Sequence, residues 1–302
     1  MGKILMKVYS IQAKNQITVQ EKDIPLPQEG EVLIRMHTIG ICGSDAHLYK
    51  GTYNGPQNFP LLFGHEWSGI VERIGYGVTK VETGDLVTGD CSKFCGKCNY
   101  CSKDKNLCRT IQKFGITVDG ASAEYIIRDE KYIYKAPAGM NPVLLALTEP
   151  LAVSAHLIEK MISMNLIQVS TPILIFGAGG IGLGAYLLLR YKYGCTSVDI
   201  SDISNLRSKV ARDLGAGEPK GELLKVHTDG NSYASLYSTS GYDCIIDTTG
   251  NAAIFSNALD LVNPMGSIGS IGMSVGSIID QKKIVLKSLT LTGSIGGTGM
   301  FP

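Results

Sequence analysis

Charge of either sign in excess is what this 302-residue chain lacks: 28 lysines and arginines face 27 aspartates and glutamates, a net of +1. So even a balance sets up no long-range field that would draw the protein to nucleic acid, an anionic membrane or an acidic substrate, and any charged partner must be recognised locally. The opening residues have only Ile4, Leu5 and Met6 between Lys3 and Lys7. That run is too short for the core of a secretory signal, and Met6 stands where a myristoylation signal wants Ser or Thr, so a cytoplasmic protein is expected. One long stretch, Met161 to Leu189, carries no charge, yet it contains Asn165, Gln168, Ser170, Thr171, Pro172 and five glycines. A phosphate-binding turn explains it better than a membrane span. There is no internal repeat and no low-complexity tract.

What is present suffices for two domains of ordinary size, each with its own core, since 44% of the residues are hydrophobic. From Ile11 to about Pro137 short strands alternate with turns: Glu31 to Met36, Ser68 to Ile74 and Ala123 to Ile127. This reads as an irregular, mostly antiparallel β domain over 1–148. Beyond Asn141 the pattern changes to a helix from Pro142 to about Ile162, then strand Ile173 to Phe176, helix Gly182 to Tyr191, strand Ser197 to Ser201 and helix Leu206 to Leu214. Strand Cys244 to Asp247, helix Ala252 to Val262 and strand Gly266 to Ile271 follow. Strand and helix in strict alternation imply a doubly wound parallel sheet over 149–302, giving an α/β plus β chain overall.

The second domain opens with Gly177-Ala-Gly179-Gly180-Ile181-Gly182 between an apolar strand and a helix. In that setting G-x-G-x-x-G signifies a dinucleotide site, which a bare glycine triplet would not. Gly177 permits the tight turn, Gly179 and Ile181 bring backbone to the pyrophosphate, and Gly182 lets helix and strand pack closely. Asp202 lies 20 residues past Gly182, where a carboxylate accepts from both hydroxyls of the adenosine ribose and repels a 2′-phosphate. NAD is expected over NADP. Arg207 is read as stacking on adenine, the alternative being a 2′-phosphate ligand.

Two further segments carry chemistry. Gly40-Ile-Cys42-Gly-Ser44-Asp45-Ala-His47 is followed by Gly64-His65-Glu66-Trp-Ser-Gly69, with Gly75 and Val78 beyond. Five of the eight cysteines crowd between Cys91 and Cys108, and without a secretory signal thiolate–metal ligation is favoured over disulfides. The pattern resembles the zinc-containing medium-chain alcohol dehydrogenases, in the sorbitol, threonine and glucose dehydrogenase branch, along essentially the whole chain. That resemblance implies a GroES-like catalytic domain and a Rossmann domain. It also implies a homo-oligomer, dimer or tetramer, that acts on a small secondary alcohol such as a polyol or sugar, without nucleic acid or membrane. A catalytic zinc needs about three protein ligands and an open position. Cys42 and His65 supply two, and Glu66 or Glu149 the third. Ethanol-type relatives have Cys at the position of Glu149. The resemblance further implies that Ser44 takes the substrate proton and passes it toward His47, and that Asp45 orients His65. Read from the residues alone, Ser44 and Asp45 are equally suited to cap a helix.

Cys95, Cys98, Cys101 and Cys108 resemble the family's structural zinc lobe, but six residues separate the last two where seven are usual, which leaves Cys91 as a possible substitute. A nucleic-acid zinc ribbon is disfavoured by the absence of a basic face. A catalytically idle NAD-binding protein should have lost members of the Cys42, Ser44, His65, Glu66 set, and a zinc-free reductase would lack the cysteine lobe. Sorbitol dehydrogenases tend to have an Arg-Tyr pair near the position of Gly296-Gly297, which argues against sorbitol itself. Family members continue for a few tens of residues beyond the end of this sequence, so a return to the catalytic domain is expected to be missing from it.

Overall fold

The computed structural model describes residues 5–219, 241–273 and 279–301. In the first unit, β1 (Leu5–Ala13) alternates exposed and buried residues, as a strand with one face on a core must, and pairs with β2 (Gln16–Asp23) and β4 (Leu61–Leu62). A five-stranded sheet runs in the order β10-β6-β5-β3-β9, from β3 (Glu31–Gly40), β5 (Glu66–Ile74), β6 (Leu86–Gly89), β9 (Tyr125–Asp129) and β10 (Ile133–Lys135). All its pairings are antiparallel. Val8, Val32, Ile34, Trp67, Val71, Val87 and Ile126 form the core. A short pair, β7 (Ser92–Lys93) with β8 (Gln112–Lys113), closes the base of the cysteine lobe.

The second unit is built on β11 (Ile173–Phe176), four consecutive buried residues. Such a run suits a parallel strand covered on both faces. Its sheet also holds β12 (Val198–Ser201), β13 (Tyr242–Asp247), β14 (Val262–Ser270) and β15 (Thr290–Gly293), all parallel, in the order β12-β11-β13-β14-β15. Ile173 and Ile175 pack on one side with Leu157, Ile158 and Met161, while Leu174 and Phe176 pack on the other with Ala258, Leu259 and Leu261. Among the described residues the helices are α1 (Gly43–Lys50), α2 (Pro142–Leu145), α3 (Thr148–Ser163), α4 (Gly180–Leu187), α5 (Asn205–Asp213), α6 (Ala252–Leu261) and α7 (Gln281–Leu286). Among the described residues no helix is long and apolar enough to cross a membrane.

Three elements differ from the sequence reading. The helix expected from Pro142 to about Ile162 is broken between α2 and α3, because Pro150 has no N–H to donate to the carbonyl of Ala146. The helix expected from Gly182 to Tyr191 begins two residues earlier and ends in a π turn over Leu188–Lys192. The chain also divides otherwise than at 148/149: the first unit runs to Ala152 and includes the segment from Gly296, the second being Val153–Ile295. The amide of Asn106, within the cysteine lobe, donates to Thr298 O (3.1 Å) and accepts from Thr298 N–H (3.2 Å). Phe301 stacks on Tyr134 at 4.8 Å between centroids. These contacts join residues 296–301 to the first unit, a return that two consecutive domains would not make.

Close packing in the first unit has a measurable consequence at Gly75, where an added Cβ would lie 1.8 Å from Gln28 O. Gly75→Ala is expected to lower stability by about 2 kcal/mol or more. Gly180→Ala, at the start of α4 where a Cβ meets nothing within 4 Å, should change it by less than about 1 kcal/mol. Urea midpoints of the two variants against the parent check the contrast; equal midpoints would contradict it.

Candidate active site and metal centres

Strand register assembles the first cluster. In the β3–β5 pair Gly40 stands opposite Glu66, so Cys42, two residues past the end of β3, comes beside His65 and Glu66 at the start of β5. The ligand atoms of these three residues all lie within 4.8 Å of one another. Gly40 leaves room for the Glu66 side chain, which would have to move for a Cβ there, 2.4 Å from Glu66 Oε2 and 2.9 Å from its Cβ. Cys42 caps α1, and Asp45, at the third helical position, accepts from Cys42 N–H (2.9 Å) and Gly64 N–H (3.2 Å). Asp45 therefore ties together the two loops that carry the cluster, and its Oδ1 faces His65 Nδ1 at 3.8 Å. That is an electrostatic contact, longer than a hydrogen bond.

The cluster is charged and mostly buried. Burial opposes a charge on His65, but a hydrogen bond with Cys42 and the negative charges of Glu149, Cys42 and Asp45 outweigh it and push the ring up to about 10. Burial, then repulsion from Glu149, raises the Glu66 carboxyl above its ordinary value. Glu149, at the first turn of α3, is buried and close enough to influence both groups, but it is not one of the three that converge. Near it lies Cys91, a buried thiol pushed up to about 12 by burial and then by the charge of Glu149. Ser44 Oγ is buried without a hydrogen-bond partner. His47, one turn along α1, is exposed, with Nδ1 2.9 Å from Thr52 Oγ1.

The second cluster is Cys95, Cys98, Cys101 and Cys108, again with every sulfur within 4.8 Å of the others. Cys101 Sγ lies 3.5 Å from Cys98 Sγ and 3.9 Å from Cys95 Sγ. A tetrahedron with the usual zinc–sulfur bonds has edges of about 3.8 Å, so the spacing fits one ion. A hydrogen bond from the backbone of Arg109 is the chief cause that lowers Cys98 to about 6, and one from Cys95 lowers Cys108 to about 7, while burial raises Cys101 to about 12. Cys108 thus occupies the fourth place despite the shorter spacing, and Cys91 lies outside the set. Both donor sets fit zinc: four thiols with N–H bonds to sulfur, and a Cys, His, Glu trio with His65 Nδ1 otherwise unpartnered.

In the second unit the turn after β11 opens into a cavity of about 520 Å³ lined by Gly177, Gly179, Ile181, Gly182, Asp202 and Arg207, among others. It lies at the carboxyl ends of β11, β12 and β13, where strand order reverses. Gly177 has φ +96°, and a Cβ on Gly182 would meet Gly177 O at 1.8 Å. Nothing lies within 4 Å of a Cβ on Gly179, which leaves that backbone open to a ligand. Asp202 accepts from Ala178 N–H and Ser204 N–H, both at 2.8 Å, and stands 3.7 Å from Arg207 Nη1. Thr248, Thr249, Asn251 and Ile254 also line the cavity. The sequence reading omits them, although Thr248 to Asn251 directly follow the strand ending at Asp247, a position that itself signals a ligand crevice.

Residues 28–138 match the alcohol dehydrogenase GroES-like domain, and residues 180–302 match the zinc-binding dehydrogenase family. The chain is 34% identical, over 293 residues, to L-threonine 3-dehydrogenase of Francisella tularensis subsp. novicida (strain U112), spanning 91% of this chain and 80% of that one. Among solved structures it is similar to the short chain alcohol dehydrogenase RspB from E. coli CFT073 complexed with NADH. The TM-score is 0.87 at 30% identity, covering 100% of this chain and 86% of the other. A zinc-binding dehydrogenase from Sinorhizobium meliloti 1021 bound to NADP gives a TM-score of 0.87 at 28% identity, covering 99% and 86%.

The proton on His65 occupies a place that a cation would contest. With its pKa raised from 6.5 to about 10, the ring stabilises the metal-free fold fully below about pH 6.5, and that contribution is lost as pH rises through about 10. Zinc uptake near pH 7 should therefore release protons, and the gap in Tm between zinc-loaded and metal-free protein should widen from pH 7 to pH 9.5. A gap independent of pH would contradict the assignment.

Proposed function

Since this chain belongs to the zinc-binding alcohol dehydrogenase family, we propose that it interconverts a secondary alcohol and its ketone by hydride exchange with NAD. The observation that supports this most is the convergence of Cys42, His65 and Glu66 on one point, with Ser44 in the adjoining helical turn presenting a buried hydroxyl that has no other partner. A zinc ion held there supplies the Lewis acidity that makes a hydroxyl acidic near neutral pH, and NAD supplies the hydride acceptor.

The chain's own residues do the rest. Cys42, His65 and Glu66 would hold the metal, and Asp45 fixes the loops on which they stand. Ser44 Oγ would take the substrate's proton as it gives up its own, and His47, exposed on the same helix, would return a proton to solvent. Cys95, Cys98, Cys101 and Cys108 would hold a second zinc that keeps their lobe folded. An idle protein of this fold has no need to keep Ser44 unpartnered beside such a set.

Asp202 favours NAD. Its carboxylate is held by two backbone N–H groups at the cavity wall and engages Arg207, so a 2′-phosphate would meet the carboxylate while Arg207 is already shared. The threonine 3-dehydrogenase relative acts, by its name, on a secondary alcohol. A small polyol, sugar or hydroxy amino acid is the substrate class, handled by a cytoplasmic homo-oligomer.

A panel of polyols, aldonates, hydroxy amino acids and simple secondary alcohols, followed by NADH absorbance, tests the reading. On the best substrate kcat/KM with NAD should exceed that with NADP at least about tenfold, which is about 1.4 kcal/mol. Ser44→Ala should lower kcat about 100-fold with little change in KM. No turnover of any secondary alcohol would overturn the reading, and equal use of both cofactors would make Arg207 a phosphate ligand.

A further inference from the structure

Arg128 is a buried cation that the chemistry above does not use. It stands on β9 opposite Val32 of β3, on the buried face of the strand with Ile126. Burial pushes the guanidinium down to about 10 against the charge of Asp119, so it remains a cation near neutral pH. The group lies over the Phe114 ring at 4.2 Å and donates to Ile127 O (2.8 Å), Gly120 O (2.9 Å) and Asp119 O (3.3 Å). Two of those carbonyls belong to the turn at residues 119–122. That turn holds the residues just before His65. Gly120 N–H donates to Leu62 O (2.6 Å), Ala121 N–H to Phe63 O (3.0 Å) and Gly64 O (2.9 Å), and Ser122 N–H to Phe63 O (3.0 Å), while Asp119 Oδ1 accepts from Leu62 N–H (3.0 Å). The packing is tight, since a Cβ on Gly120 would lie 2.3 Å from Gly64 O and one on Gly115 2.9 Å from Gly64 N. Gly64 is thus gripped on both sides, its N–H by Asp45 and its carbonyl by the turn.

We infer that Arg128 is a positioning residue for the metal centre: by fastening the carbonyls of Asp119 and Gly120 it fixes the turn that clamps Phe63 and Gly64, and so sets where His65 and Glu66 enter the cluster. A planar guanidinium can bind several carbonyls and lie on a ring at once, which neither an ammonium nor an apolar side chain can do. Ligands converge only as well as the segments that carry them are held. The inference rests on the metal-centre reading above and deepens it.

The protein and its Arg128→Met and Arg128→Lys variants are equilibrated with chelator-buffered zinc, and the affinities of the two sites are measured. A Cys42→Ser control, which keeps the four cysteines alone, assigns them. Amide exchange at Ala121 and Ser122 is followed in the metal-free samples. Arg128→Met should weaken zinc at Cys42, His65 and Glu66 about tenfold and speed both exchanges, with the four-cysteine affinity unchanged. Arg128→Lys, which keeps the charge and part of the donation, should fall between the two, and it decides the matter alone if Arg128→Met does not fold. Equal weakening of both sites would make Arg128 merely structural, and unchanged affinity at the first site would overturn the inference while leaving the metal centre standing. A parent that binds zinc only at the four cysteines overturns the metal-centre reading, and the inference with it.

Discussion

The antiparallel register of β3 on β5 is the constraint on which the rest depends. Gly40 opposite Glu66 fixes where Cys42 emerges and where His65 turns in. The glycine leaves the space that the Glu66 carboxylate occupies, and a larger residue there would displace it. One residue of slip would turn every side chain of β5 to the other face and scatter the cluster. Asp45 then fastens the two loops through backbone N–H groups. A hydrogen bond with Cys42 and the negative charge of Glu149, Cys42 and Asp45 together raise His65 against the cost of burial. Such a concentration of anionic donors is suited to a dication.

The second unit solves a related problem with glycine instead of charge. Gly177 adopts a left-handed turn, Gly182 lies against its carbonyl, and Gly179 is left open. The start of α4 thereby presents free N–H groups to the cavity, the arrangement that accommodates a pyrophosphate. Asp202 stabilises the same turn by accepting from Ala178 N–H, so the residue proposed to read the ribose also holds the loop proposed to receive the phosphates.

Most of what is local in the chain was legible in the sequence. The strand–turn–helix of residues 173–187, the cysteine lobe, and Cys42 with His65 and Glu66 all follow from spacing or motif, and β11 has the bounds that its apolar run suggests. The break before α3 was equally local, since Pro150 removes one helical N–H, but the apolar periodicity on either side concealed it. Contacts between distant segments were not legible: Asn106 with Thr298 and Asp45 with Gly64 each depend on which loop end the topology brings alongside. The family resemblance could name both glutamates as ligand candidates but could not separate them, because which one converges with Cys42 and His65 depends on how the folded chain brings their segments together.

The central claim is that this chain builds two zinc sites, one closed and one open. Diffraction from crystals of the zinc-loaded protein at wavelengths on either side of the zinc absorption edge tests it most directly. The account predicts two anomalous peaks per chain, one among the sulfurs of Cys95, Cys98, Cys101 and Cys108, the other among Cys42, His65 and Glu66. A single peak confined to the four cysteines would contradict it.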